Sequence, residues 1–463
     1  MNLVIGSGPN GLAAAIVLAQ AGLPVEVREA APVPGGATRS AEITLPGFIH
    51  DLGSAVHPMA LASPFFSKLP LAQHGLHWIW PEAALAHPLD DGTAVLLERD
   101  IVDTANQLGS DRTAYRKLFE PLVRNWAELA DGALRPIAWP KHPFLMARFG
   151  IRAMQPAAGL ARALFRGMRA QALLAGICAH SNLPLEAALS ASFGVIMCAA
   201  GHAVGWPIAQ GGSQQIAYSL IRILESLGGH VTVSSRVQTL PDNPDLILCD
   251  VTPRQFLQLA GERLPGSYRR KLERYKYGPG VFKVDWALRE PIPWKARECR
   301  RAATVHLGAS LEEMALSERQ VSRGRIAARP YVLLVQPTLF DPTRAPEGKH
   351  IAWAYSHVPN GSDVSVLERM ESQIERFAPG FRECVLARAI HTPAQMEAWN
   401  ENLVGGDIVG GAVTPRQFFF RPTRKQYATP LPRVYLCSSS TPPGGAVHGM
   451  CGYWAAQSAL RKR

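Results

Sequence analysis

The sequence predicts an α/β fold built around a parallel sheet, with a second α+β unit beside it, and three observations carry that expectation. The chain opens with apolar Leu3-Val4-Ile5, the glycine turn Gly6-Ser7-Gly8-Pro9-Asn10-Gly11, a small-residue helix from Leu12 to Ala21 and Val25-Glu26-Val27, which reads strand, turn, helix, strand. The order helix-to-strand recurs mid-chain: Ile216 to Leu227 has apolar helical periodicity, Gly228-Gly229 ends it, and Val231-Thr232-Val233 and Leu246-Ile247-Leu248 follow as strands. The chain closes with strand Val434 to Leu436, a glycine-rich segment and an apolar helix from Tyr453.

Between these elements lie a helix-rich stretch, 100 to 204, and a β-rich one, 278 to 358, with strands such as Val281 to Trp286 and Tyr331 to Val335. The expected division is therefore a discontinuous first unit from 1-75, 205-255 and 405-463, and a second from 76-204 and 256-404. At 463 residues the chain has room for two or three domains. Hydrophobic residues at 47% against 18% charged exclude a disordered or fibrous chain.

No basic, apolar leader precedes the first strand, and the seven scattered cysteines form no CxxC pair, so we expect a cytoplasmic protein with no metal site. The charge-free run Ala187 to Ile221 is long enough for a bilayer, but Trp206, Pro207 and Gln214 make it a buried helix, a turn and a second helix. The net charge of +11 suits an anionic surface or an acidic ligand; nucleic acid would need basic residues interleaved with aromatics, a pattern the sequence lacks.

A lone GxGxxG is weak evidence; one placed between a strand and a helix is strong. Gly6 permits the turn, Gly8 lets backbone approach a pyrophosphate, and Gly11 lets helix and strand pack closely. The helix start, at Pro9 and Asn10, offers unpaired N–H groups and partial positive charge. Glu29, with Ala30 after it, comes eighteen residues past Gly11 at the end of the second strand, where a carboxylate accepts ribose hydroxyls. These features make the first unit Rossmann-like. Gly35-Gly36-Ala37-Thr38-Arg39-Ser40 adds a second glycine pair, hydroxyls and an arginine suited to the other side of the pyrophosphate. In Pro46 to Ser54, small residues such as Gly53 would let a planar ring approach the backbone. Gly278 and Gly280, and Gly405 and Gly406, lack the flanking strand and helix of a second phosphate site, so stable NAD(P) use is not expected.

The GxGxxG with Glu29, GGATRS, PGFxxDxG and the closing TPPGGAVHGMCGYWAA together resemble the phytoene desaturase-like branch of the FAD-dependent amine oxidase superfamily, and HAVGWPIAQGGSQQIAYSL, CDVTPRQ and NLVGGDIVGG extend the likeness over nearly the whole chain. The resemblance implies FAD, with Gly6, Gly8 and Gly11 at the pyrophosphate, Glu29 at the ribose, and Gly36 with Arg39 on the flavin side. It implies that Val237, in an SSRVQTL strand, reads adenine through its backbone, and that Gly445, Gly449 and Met450 lead into the final helix beneath the flavin ring. Where relatives carry a glycine-alanine pair after the last strand, this chain has Cys437-Ser438-Ser439-Ser440. The implied activity is dehydrogenation or desaturation of a small apolar organic substrate, isoprenoid or polyene in kind, with oxygen, a quinone or another carrier as electron acceptor. Two alternatives stay open: an amine or amino-acid oxidase, with Tyr453 and Trp454 as candidates for an aromatic cage, and a non-catalytic prenyl- or lipid-binding escort protein on the same scaffold.

His57, His202, His306 and His448 lie nearest the motifs, and His57 and His448 are candidate proton acceptors. Lys141 to Arg169 interleaves basic and apolar residues. Pro140, Pro143 and Pro156 break it into short helices, which reads as a solvated cap; a peripheral contact with an anionic membrane is the other reading.

Overall fold

The computed structural model describes residues 2–242 and 245–462. Five parallel strands form the nucleotide-type sheet: Asn2–Ile5 (β1), Val25–Arg28 (β2), His230–Thr232 (β3), Leu246–Cys249 (β4) and Val434–Leu436 (β5). Their spatial order is β3-β2-β1-β4-β5, so the direction of winding reverses between β1 and β4. Leu3 faces Glu26 on one side and Ile247 on the other. The crevice beyond the strand ends at that reversal is where α/β sheets bind ligands.

The helix after β1 starts at Pro9 and runs to Gln20, three residues earlier than the apolar pattern suggested, because proline at the first position needs no partner for a missing N–H. Every side chain from Leu12 to Ala19 is buried. Three successive alanines, Ala13 to Ala15, keep it thin enough to pack on the sheet and on the closing helix Met450–Leu460. A Cβ on Gly452 would lie 1.7 Å from the Asn10 carbonyl oxygen, so the two helices touch backbone to backbone and only glycine fits.

The second sheet has seven strands in the order Val385–His391, Gly280–Leu288, His350–Val358, Val332–Val335, Ala302–Leu307, Ala83–Pro88 and Ala94–Glu98. Neighbours are antiparallel except Ala302–Leu307 beside Ala83–Pro88. In Gly280–Leu288 the period of two puts Phe282, Val284 and Trp286 into one hydrophobic cluster, while the alternate positions carry Lys283 and Asp285, both buried and ion-paired.

The 100–204 stretch is helical, and its helices Pro143–Ala153, Ala157–Leu164 and Met168–Cys178 are short pieces that break at Pro156 and Gly167. The charge-free run becomes the helix Ser190–Val204, a two-residue strand Ile208–Ala209 and the helix Gln214–Ser226. No helix among the described residues is long and apolar enough to cross a membrane.

Candidate functional site

A cleft of about 620 Å³ opens at the winding reversal, between the Gly6–Asn10 turn after β1 and Asp250–Thr252 after β4. Its size lies within the usual range for small-molecule sites. Glu29 to Pro32, Gly36, Ala37 and Arg39 form one wall, Arg236 to Gln238 another, and a strap of residues 398 to 403 a third.

Glycine is required where the two turns meet. A Cβ on Gly36 would lie 2.9 Å from the Gly8 Cα, one on Gly8 would lie 2.8 Å from Asp250 Oδ2, and one on Gly11 would lie 2.1 Å from the Gly6 carbonyl oxygen. Gly8 and Gly36 thus present bare backbone to the cleft. Gly11 does not line it; its role is the close strand–helix contact.

Glu29 stands at the end of β2 with its carboxylate fixed. Oε2 accepts from the Ser7 N–H at 2.9 Å and the Ser7 hydroxyl at 2.6 Å, and Oε1 accepts from the Ala31 N–H at 2.9 Å. Oε2 is filled by its two donors, and Oε1 keeps acceptor capacity for a further hydroxyl. Ser7, absent from the sequence expectations, also accepts from the Gly35 N–H at 3.2 Å and so ties the first glycine turn to the second.

Arg39 donates to the Gly36 and Trp399 carbonyls, and its guanidinium lies 4.6 Å from the centre of the Trp399 ring. Burial lowers its pKa, opposed by the charge on Glu29. Arg236 grips Glu401 through two hydrogen bonds, which fastens the strap to the wall that carries Val237. Val237 lines the cleft as expected, but in irregular chain and not in a strand. β3 ends at Thr232, Ser234 takes φ +51°, and the Ser234 and Ser235 N–H groups donate to the Ala31 and Glu29 carbonyls of the segment after β2.

The sequence reading missed Asp250. Its Oδ2 accepts the Gly11 N–H at 2.9 Å, so one of the N–H groups expected to be free at the helix start is taken by a carboxylate. Burial, with Glu29 adding repulsion, pushes its pKa up to about 7, against the lowering effect of that N–H. Asn402 in the strap bonds the Asp250 carbonyl and the Thr252 N–H. Ser438, Ser439 and Ser440 also line the cleft; Ser438 donates to the Val251 carbonyl and Ser440 to the Gly410 carbonyl, so those hydroxyls join the loops around it.

A bare glycine cradle at a helix start, a fixed carboxylate at the second strand end and an arginine beside both are the donors and acceptors a dinucleotide needs. The residues present fit the group. The profile of the NAD(P)-binding Rossmann-like domain family matches residues 4–69. Over 99% of its length the chain is 25% identical to the rat (Rattus norvegicus) pyridine nucleotide-disulfide oxidoreductase domain-containing protein 2, covering 93% of it. It is 23% identical to the phytoene desaturase (lycopene-forming) of Pseudescherichia vulneris, covering 99% of this chain and 98% of that one. The chain is a homologue of these oxidoreductases. Among solved structures, an oxidoreductase from Methanosarcina mazei matches with a TM-score of 0.64 at 16% identity over 99% of both chains. Putrescine oxidase with bound putrescine matches at 0.61 and 18% identity, over 100% of this chain and 98% of the other. At those identities the likeness is one of fold.

In this homologue the remaining expected residues lie outside the cleft lining. Gly53 packs its loop on another loop: a Cβ there would lie 2.3 Å from the Ala37 carbonyl oxygen, which also accepts from the Ser54 N–H at 3.0 Å. The close approach that Gly53 makes here is to backbone. Thr38 is buried, with its hydroxyl on the Gly35 carbonyl. A Cβ on Gly445 would meet Val409, and one on Gly449 would meet Phe66. Gly449, at φ +66°, turns the chain into the closing helix, as expected, and the buried Met450 N–H donates to His448 Nδ1 at 3.0 Å.

His448 therefore caps a helix. His202 is a satisfied core residue, with Nδ1 donating to the Arg99 carbonyl and Nε2 accepting from the Tyr115 hydroxyl. His306 meets His180 at 3.0 Å beside the seven-stranded sheet. His57 is different. Ser213 spends its hydroxyl proton on the Ser54 carbonyl at 2.6 Å, so the His57–Ser213 bond of 2.8 Å requires an Nε2–H donor, leaving Nδ1 as a buried acceptor with no partner. Burial lowers the His57 pKa to about 4, and the ring is neutral at pH 7.

Nearby, Asp51 accepts from Ser40, the Ser213 N–H and Arg344. Burial would raise its pKa, but Arg344 and those donors hold it below the ordinary carboxylate range. His50 lies 3.6 Å from Asp285, so the hairpin Ser40–Asp51 meets the seven-stranded sheet through a charged cluster that includes Lys283. Neither Lys283 nor Asp285 was singled out from sequence.

Proposed function

We propose that this chain is an FAD-dependent oxidoreductase that dehydrogenates or desaturates a small apolar substrate by removing hydride from a carbon. The observation that carries the reading is Glu29, held by three hydrogen bonds beside the Gly8–Gly36 cradle at the winding reversal. FAD, when bound, supplies a two-electron acceptor for hydride.

The chain's own residues hold and orient the group. Glu29 takes the ribose hydroxyls, Gly8 and Gly36 admit the pyrophosphate, Arg39 offers it charge, and the backbone near Val237 meets the adenine. Gly449 and Met450 begin the closing helix, whose positive end would favour negative charge on the reduced flavin. His57 presents Nδ1 as a neutral proton acceptor at the Ser54–Ser213 side. The homology with a phytoene desaturase supports an isoprenoid or polyene substrate, and oxygen, a quinone or another carrier serves as acceptor.

The likeness to putrescine oxidase keeps an amine substrate as the second reading. Its aromatic cage is not supplied by the closing helix: Trp454 donates to the Leu134 carbonyl and carries Arg135 on its ring face, while Tyr453 meets it edge-on at 80°. Anaerobic titration of FAD-loaded protein separates the two. Bleaching of the flavin band by isoprenoid alkenes or alcohols, with no response to diamines, is the expected result; bleaching by amines alone overturns the substrate class.

A further inference from the structure

Among the described residues, the six large apolar side chains that are more than half exposed all fall between Ile137 and Met168: Ile137, Trp139, Phe144, Ile151, Met154 and Met168. Trp139 is 87% and Phe144 91% exposed, values close to those of a free side chain. Such a cluster on one short segment marks an interaction surface.

The helix Pro143–Ala153 shows how it arises. Leu145, Met146 and Phe149 pack on the core, which satisfies the helix's inward face. The outward stripe, Phe144, Ala147, Arg148 and Ile151, follows the i, i+3, i+4, i+7 spacing, where an exposed helix ordinarily carries polar residues. This face is apolar with basic margins.

Charge indicates what covers it. Between Asp131 and Glu186 the sequence has no acidic residue, while it carries Arg135, Lys141, Arg148, Arg152, Arg162, Arg166 and Arg169. Arg152 and the exposed Arg166 make no side-chain hydrogen bond or ion pair among the described residues, so their charge is available to a partner. Exposed tryptophan and phenylalanine within a basic surface are the composition of an interfacial membrane anchor, with rings seated at the headgroup level and cations on anionic lipid. We propose that the Ile137–Met168 face docks this protein on an anionic lipid bilayer, inserting Trp139 and Phe144 and placing Arg152 and Arg166 against lipid phosphate.

The placement suits collection of an apolar substrate. The helix Ser190–Val204 lies beneath Pro143–Ala153 and also packs on the strand Ala94–Glu98, so one helix layer separates the docking face from the seven-stranded sheet.

The test is co-sedimentation of the full-length protein with phosphatidylcholine vesicles, with and without phosphatidylglycerol, at low and high salt. The wild type should pellet with the anionic vesicles, and salt should release it. Trp139→Ser combined with Phe144→Ser should lower the partition coefficient by about tenfold or more, and Arg152→Glu with Arg166→Glu should lower it for anionic vesicles alone. Trp139, Phe144 and Arg166 are exposed and Arg152 is half-buried, and an unchanged thermal midpoint shows that the variants fold. Wild type remaining in the supernatant overturns the proposal, as does undiminished binding of the Trp139/Phe144 double variant. A concentration-dependent dimer that the same double variant abolishes, with no vesicle binding, assigns the face to a second copy and overturns it equally.

Discussion

Replacing Asp250 with asparagine tests the electrostatics of the cleft. Asp250→Asn keeps a side-chain oxygen for the Gly11 N–H and removes the titrating proton. In the folded apoprotein burial raises the Asp250 pKa from 3.8 to about 7. The folded state therefore binds a proton that the unfolded chain has already lost, and the stability this contributes is full below pH ~4, declines as pH rises from ~4 to ~7, and is constant above. The shift of about three units at 1.36 kcal/mol each sets an upper limit of ~4 kcal/mol. The variant escapes this decline, so its stability relative to wild type should rise through that window. Bound FAD would bring phosphate charge beside the same carboxylate, so wild-type FAD affinity should fall with rising pH while that of the variant stays flat. The assay is urea unfolding of both apoproteins at steps from pH 5 to 8, with FAD titration at the same pH values. A stability difference that does not change between pH 5 and 8 would refute the assignment of a protonated Asp250.

Further outcomes follow from the same geometry. Gly8→Val places a branched side chain where a bare Cβ already lies 2.8 Å from Asp250 Oδ2, and it should leave a folded protein without FAD; retention of a full complement would sink the cradle assignment. Gly452→Val must separate the first and closing helices, since its Cβ would lie 1.7 Å from the Asn10 carbonyl oxygen, and the expected cost of ~3 kcal/mol or more is read as a lowered unfolding midpoint. Buried His50, His57, His87, His202 and His448 have pKa values lowered to about 4, and His180 to about 3. Their contribution is full above pH ~6.5 and is lost as pH falls toward 4, so the thermal midpoint should drop through that range, and NMR should show those rings neutral at pH 6.

The parts of the site that sequence made legible are those whose partners lie close along the chain. The glycine turn, the helix it opens and Glu29 span fewer than thirty residues, and strand-end placement follows from local period alone. Asp250 is 239 residues from Gly11, and its role depends on β4 lying beside β1. The signal available was its position directly after an apolar strand that the sequence already showed.

The contacts that glycines make within the chain were not legible in the sequence: Gly53 abuts the Ala37 carbonyl, and Gly445 abuts Val409. Gly452 was overlooked, although a glycine among the small residues of an apolar helix is the pattern of close helix contact. The Val237 region reads as a strand by its composition, yet the positive φ of Ser234 ends pairing before it. The sequence showed basic and apolar residues interleaved over Lys141 to Arg169, but not which apolar side chains of Pro143–Ala153 stay exposed, because an apolar helical residue declares its burial only once the helix has a neighbour.

The central claim is that the cleft at the winding reversal holds FAD. An absorbance spectrum of the purified protein, followed by heat release and mass identification of the supernatant, tests it directly. Bands near ~370 and ~450 nm with FAD released in stoichiometric amount are the predicted result. A colourless protein that also fails to take up added FAD would contradict the account and favour a binding protein built on the same scaffold.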